Sequence, residues 1–451
     1  MLVVAASYVF YGWWDWRFLI LIAFTTLCSF ISGLVIEHYE SDRNKQKWIS
    51  AANIVLNLAI LGLFKYYNFF ADNLQLLLSG FGIQLDWPTL NIILPVGISF
   101  YTFQALSYSI DVYRKKLKAT RDVVAFFAFI SFFPQLVAGP IERATNLLPQ
   151  FLKPRIFDES KAIDGMRQIL WGFFKKVVVA DTCATTLMYI WEDYQHMSGV
   201  SLFFGGLLFT FQIYGDFSGY SDIAIGTARL FGINLKRNFS FPYFSRSIPE
   251  FWRRWHISLM TWFRDYIYFP LGGSRCSRWK AIRNVFIVWG VSGLWHGANW
   301  TFICWGLFHG VLLAVYNLLG INTKYEHEVA HGRFLPSVKE MCQMLFTFFL
   351  AVIGWIIFRA ETMTQAVSYL YRMFTKPFEG MSAGSLKYTF FFVAIMLLAE
   401  WVQRDKQHAL EFVKSEGILK YRVVRWSIYM SVLMVTLVFA GEQSQFIYFQ
   451  F

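Results

Sequence analysis

Charge is what this chain has least of. Asp, Glu, Lys and Arg make up 16% of its 451 residues, where soluble proteins carry roughly 25%. Apolar residues reach 56% and aromatics 20%. That balance excludes a water-soluble fold, because one core cannot hide so much apolar surface. Cysteine is sparse too, and Cys28, Cys183, Cys276, Cys304 and Cys342 show no C-x-x-C spacing, which excludes a disulfide framework. The first residues lack the basic stretch and small-residue cleavage site of a secretory signal and start directly in apolar sequence. No G-x-S-x-G elbow, Walker A or G-x-G-x-x-G occurs, and on this reading the chain has no H-E-x-x-H pair either. Serine hydrolase, nucleotidase and zinc protease readings therefore drop out. What remains is an all-α polytopic membrane protein, read as a single integral membrane domain over residues 1–451.

Lys and Arg outnumber Asp and Glu by 41 to 29, a net charge of +12. In a soluble chain this suggests nucleic acid. In a membrane chain it first reports topology, and no nucleic-acid partner is expected. Runs free of charge lie at 1–14, 18–36, 48–64, 87–110, 123–141, 194–215, 284–323, 341–358, 388–399 and 426–441. With about 20 apolar residues to a span, they predict roughly ten to twelve membrane helices, some short or re-entrant. Arg43, Lys45 and Lys47, then Arg114, Lys115, Lys116, Lys118 and Arg121, mark cytoplasmic loops, while 71–86 faces out. Pro134 and Gly139-Pro140 turn 123–141 into a broken, re-entrant element, lining a cavity or simply kinked. The stretches 324–340 and 403–425 read as loops.

His38, His196, His327, His331 and His408 lie in polar segments and read as surface residues. His296 and His309 are different, because they sit inside the run 284–323. An ionisable group there is costly and signals function by default. Gly293 and Gly297 remove bulk beside His296, so that a substrate or another helix can approach. His309 reads more as a neutral imidazole hydrogen-bonded between helices. His256 belongs to 247–271, which reads as one helix opened by a capping box. Trp252, Trp255, His256, Leu259, Trp262, Phe263 and Tyr266 recur there at helical spacing, beside a face of Arg254, Ser258, Thr261 and Asp265. It is an interfacial helix with Arg253 and Arg254 among lipid phosphates, or part of a site. Asp216 and Asp222 do not share a helix face. A break at Gly219 would bring them round one site, to orient a histidine or bind a cation; otherwise they cap helix ends.

The motifs Phe251-Trp252-Arg253-Arg254-Trp255-His256-Ile257-Ser258-Leu259, Trp262-Phe263-Arg264-Asp265-Tyr266-Ile267-Tyr268, Leu271-Gly272-Gly273 and Gly293-Leu294-Trp295-His296-Gly297 follow in order. Together they resemble the membrane-bound O-acyltransferases, in the branch that O-acetylates bacterial exopolysaccharides such as alginate. Leu94–Tyr101, Asp111–Arg114, Ala138-Gly139-Pro140, 216–222, Phe358-Arg359-Ala360 and the closing 446–451 match as well. The resemblance covers nearly the whole chain. Family members carry a further hydrophobic segment before the stretch that begins here at Ala5, whereas only four residues precede it.

The resemblance implies a ring of tilted and re-entrant helices around a central funnel, in a bacterial cytoplasmic (inner) membrane. It implies His296 as general base and His256 as a second histidine that orients the thioester or holds its carbonyl. Asn299 is a candidate oxyanion donor and Asp265 a candidate orienting group, with Trp295 and His309 beside them. Arg253, Arg254, Arg264, Arg275, Arg278, Lys280 and Arg283 are candidates for a phosphate-bearing donor. That donor is acetyl-CoA or an acyl carrier protein; no metal and no tightly bound cofactor is expected. The implied partners are membrane lipid, an extracytoplasmic acetyltransferase and polysaccharide export machinery. Rival readings are D-alanyl or lipid O-acyl transfer, a glycan or lipid transporter, and a non-enzymatic scaffold.

Overall fold

The computed structural model describes all residues except 85, 86, 91, 322–324, 326, 385, 413–416, 442, 443, 445 and 448–451. Parts of the loops 71–86, 324–340 and 403–425, the end of the run 284–323 and most of the closing motif 446–451 therefore lie outside the described residues. Among those that are described, regular structure is helical, apart from an isolated β-bridge between Met197 and Met381.

The chain packs as two compact units. The first comprises Met1–Phe157 and Phe231–Leu235. It holds α1 (Leu2–Trp14), α2 (Arg17–His38), α3 (Arg43–Leu61), α4 (Tyr67–Ser79), α5 (Ile98–Tyr113), α6 (Val123–Ser131), α7 (Phe133–Leu136) and α8 (Ala144–Leu152). A π turn joins α3 to α4, so 43–79 is one continuous helical run of 37 residues. Asp122 caps α6 by accepting from the Ala125 N–H at 2.9 Å. The expected break in 123–141 is present: α6 stops at Ser131, and a second, four-residue helix begins with Pro134 in its first turn. Phe132, Leu136 and Ala138 are buried there, so the irregular backbone is covered by protein, as membrane depth requires.

The second unit comprises Asp158–Leu230 and Lys236–Phe451. Its helices are α9 (Glu159–Phe173), α10 (Asp181–Glu192), α11 (Gly199–Leu230), α12 (Ile248–Arg254), α13 (Ile257–Phe263), α14 (Arg278–His296), α15 (Trp300–Leu318), α16 (Val338–Arg359), α17 (Met363–Thr375), α18 (Lys387–Val402) and α19 (Arg422–Val438). The long run 284–323 does supply two helices, α14 and α15. Among the described residues, five helices suffice by length and composition to cross a membrane: Arg17–His38, Arg43–Ser79, Gly199–Leu230, Trp300–Leu318 and Val338–Arg359. Other apolar helices are shorter, such as α1 with 13 residues and α18 with 16.

Gly219 does not break α11, which runs unbroken for 32 residues. Its role is a close helix crossing: a Cβ there would stand 2.7 Å from the Gly172 carbonyl oxygen of α9. Asp216 and Asp222 consequently do not converge on one site. They meet successive lysines of a π segment, Phe174–Ala180, with Lys176 Nζ 2.9 Å from Asp216 and Lys175 Nζ 2.6 Å from Asp222. Gly219→Leu is therefore expected to destabilise the protein by about 1–3 kcal/mol or more. Gly290→Ala, where an added Cβ meets nothing within 4 Å, should leave stability near wild type. Thermal unfolding in detergent compares the two.

Candidate active site

The expected single helix over 247–271 is not formed. Ser247 does cap α12, accepting from the Glu250 N–H at 3.3 Å. The Glu250 carboxylate, however, turns to Arg246 and Arg254, each placing Nη2 2.9 Å from Oε1. α12 then ends at Arg254, and α13 starts after His256, whose backbone is left-handed at φ 44°, ψ 51°. A non-glycine residue held there costs of order 1–3 kcal/mol, and such residues cluster at functional sites. The break turns the predicted stripe into two short helices with a histidine at their corner.

That corner places His256 against aromatic rings. Its imidazole lies edge-on to Phe217 at a centroid distance of 4.7 Å and to Trp295 at 6.0 Å. His296 is the last residue of α14 and packs on the same Trp295 at 4.9 Å, on Trp305 at 5.0 Å and on Phe358 at 5.3 Å. His256 is 1% exposed and His296 7%. Both histidines expected at the site are thus buried on one indole. The bulk removed at Gly293 and Gly297 admits a helix: an added Cβ at either would collide with Phe302 of α15. His309 is hydrogen-bonded and closely packed. Its Nδ1 accepts from Trp252 Nε1 at 3.3 Å, and a Cβ on Gly354 would stand 2.7 Å from its Nε2.

The basic residues divide. Arg253 and Arg264 border a cleft of about 450 Å³ with Trp252, Ile257, Met260, Thr261 and Trp289. Arg264 pairs with Asp265 at 2.7 Å. Arg254 is instead locked into ion pairs with Glu250 and with Glu328, the latter at 2.6 Å. Arg275, Arg278, Lys280 and Arg283 are exposed on the approach to α14 and its first turns. The Asn299 amide is engaged as a cap: Oδ1 accepts from the Thr301 N–H at 3.0 Å, and Nδ2 donates to the Glu361 carbonyl at 2.8 Å.

Two features escape the sequence reading. His327-Glu328-Val329-Ala330-His331 does have H-E-x-x-H lettering, which corrects the expectation that no such pair occurs. The zinc motif needs both histidines on one helix face, whereas here the segment is irregular. The two imidazoles stack at 4.3 Å, and Glu328 is committed to Arg254. Among the described residues, no group of three or more His, Cys, Asp or Glu is placed to hold a metal ion. The second feature is Asn238, fully buried, whose carbonyl accepts from the Ile257 N–H at 2.9 Å just after His256.

Glu250 also sets a pH response. Burial pushes its pKa up, but the Arg246 and Arg254 guanidiniums outweigh this and hold the carboxyl below its ordinary range. A depressed carboxyl pKa stabilises the fold above the unfolded value of about 4.3, and that contribution fades as pH falls through the folded value. Melting temperature against pH is expected to show an acid limb below about pH 4.3 that flattens in Glu250→Gln.

The membrane-bound O-acyltransferase (MBOAT) family model matches residues 8–358. A protein of Pseudomonas aeruginosa named "Probable alginate O-acetylase AlgI" is 43% identical over 376 residues, covering 83% of this chain and 69% of that protein. The peptidoglycan O-acetyltransferase of Helicobacter pylori is 30% identical over 100% of this chain and 91% of its own length. The teichoic acid D-alanyltransferase of Bacillus subtilis is 29% identical over 62% of this chain and 72% of its own. An all-α membrane acyltransferase is what these helices build, and the chain belongs to the membrane-bound O-acyltransferase family.

Proposed function

We propose that the protein takes an acetyl group from a cytoplasmic thioester and passes it across the bacterial cytoplasmic membrane for O-acetylation of an exopolysaccharide. The observation that carries this reading is the pair of buried imidazoles, His256 and His296, packed on the Trp295 indole. Moving an acyl group from a thioester to a hydroxyl calls for a base at the hydroxyl and a polarised carbonyl, not a serine or cysteine nucleophile. His296 takes the hydroxyl proton as the oxygen bonds to the acyl carbon. The C–S bond breaks, and the proton passes to the departing sulfur. His256 orients the thioester or holds its carbonyl.

Arg253 and Arg264 border a cleft whose other walls are largely apolar, which suits a phosphate-bearing donor with a flexible thioester arm. Acetyl-CoA is the simplest such donor, and a carrier protein presents similar chemistry. The acyl group then goes to an extracytoplasmic acetyltransferase working with the export machinery. The likeness to the alginate O-acetylase of P. aeruginosa supports an exopolysaccharide such as alginate. A second acceptor, peptidoglycan, is favoured by the H. pylori relative, which aligns with the chain over its whole length. D-alanyl transfer has less support, since that likeness spans 62% of the chain. A transporter gives the two histidines no task.

Thiol release from acetyl-CoA by the purified full chain tests the reading. His296→Ala is expected to lower turnover per folded protein by about 10²–10⁴-fold, and unchanged turnover would remove it as base. Arg253→Gln with Arg264→Gln should raise KM for acetyl-CoA, and raised salt should do the same in wild type as phosphate contacts are screened. Mass analysis of acetyl groups on exported glycan and on peptidoglycan, with and without the protein, separates the two acceptors.

A further inference from the structure

The corner that carries His256 is braced from a segment that none of the motifs includes. Residues 238–240 run beside it and bond on both sides of the histidine. The Ser240 N–H donates to the Arg254 carbonyl at 2.9 Å, and the Ile257 N–H donates to the Asn238 carbonyl at 2.9 Å. The Asn238 side chain completes the brace. Its Oδ1 accepts from the Ser258 N–H at 3.3 Å and from Ser258 Oγ at 2.9 Å. Its Nδ2 donates to Ser221 Oγ of α11 at 3.2 Å. Asn238 is 0% exposed, with Ser221 and Ser258 at 2%.

We propose that Asn238 is the positioning residue of the acyl-transfer site, bonding α11 to the backbone on the C-terminal side of His256 and holding that histidine in its left-handed conformation. This rests on the reading of His256 as a group that acts on the thioester. A left-handed corner is not the conformation a histidine takes by itself, so the bonds around it decide where the imidazole points. Both ends of the brace are firm. On one, Ser221 adjoins Asp222, which is tied to Lys175 at 2.6 Å and to Gln168 at 2.7 Å. On the other, Ser258 lies in the first turn of α13. The link also assigns a task to the motif 216–222, whose carboxylates face lysines rather than a histidine. It delivers Ser221 to Asn238.

The test uses the purified full chain in detergent, thiol release from acetyl-CoA, and turnover normalised to folded protein. Asn238→Leu, close in size and without hydrogen-bonding groups, is expected to lower kcat about 10- to 100-fold while KM stays within about twofold. Asn238→Asp keeps the acceptor for Ser258 and should restore most of the loss, a rescue that a general packing role would not produce. A folded Asn238→Leu with wild-type kcat overturns the proposal. Should that variant fail to fold, Ser258→Ala decides: kcat lower by about three- to tenfold at unchanged KM supports the brace, and wild-type kcat overturns it. His256→Ala is measured in parallel. Loss of turnover there, with none in the Asn238 and Ser258 variants, overturns this proposal alone. Wild-type turnover in His256→Ala overturns the reading of His256 beneath it.

Discussion

A polar group taken out of water has to find its partner inside the protein, and the second unit is organised by that requirement. Lys175 and Lys176 are successive residues held among apolar helices, and each meets a carboxylate of α11. Tyr214 donates to Glu400 at 2.9 Å, tying α11 to α18. Glu250 gathers two guanidiniums around one carboxylate and fixes α12 just before the corner at His256. Leaving any one of these charges buried without its partner would cost several kcal/mol. The pairs therefore act less as sources of stability than as registration marks, fixing which helix faces which.

Close packing does the complementary work. α11 and α9 meet backbone to backbone at Gly219 and Gly172, and α14 meets α15 where Gly293 and Gly297 face Phe302. With those helices at short range, the large rings have little room to move. Trp252, Trp255, Trp295, Trp305, Trp355 and Phe358 form a contiguous aromatic body. The histidines are set into it as polar inserts. His309 is pinned by a tryptophan N–H, while His256 and His296 share one indole. An apolar cage of this kind excludes water and strengthens every electrostatic contact inside it.

Much of the site is legible in one dimension. His296 stands out because an ionisable side chain in a charge-free run is anomalous, and His256 because it recurs with the aromatics at helical spacing. The division of 284–323 into two helices follows from length. The split of 123–141 follows from Pro134 and Gly139-Pro140. Roles that depend on direction are not legible in the same way. Arg253 and Arg254 are neighbours in sequence, yet the first borders the cleft and the second is locked to Glu250 and Glu328. Asn299 beside His296 resembles an oxyanion donor on paper but caps a helix. Trp262, spaced with Trp252 and Trp255 in the stripe, packs on Tyr266. Asn238 is an ordinary buried asparagine until its distant partners are known.

Composition alone determined that this chain lives in a membrane, because its apolar and aromatic surplus has no other place to go. Local motifs singled out the candidate histidines, since an ionisable group in an apolar run such as 284–323 is costly. Only the tertiary structure decided that 247–271 bends at His256. Its spacing suits a continuous helix, and the backbone on both sides of the bend is bonded by Asn238 and Ser240, residues outside the segment. Tertiary packing likewise decided that Asp216 and Asp222 bind lysines, because a helix pattern records which face a carboxylate takes but not what another helix brings to meet it.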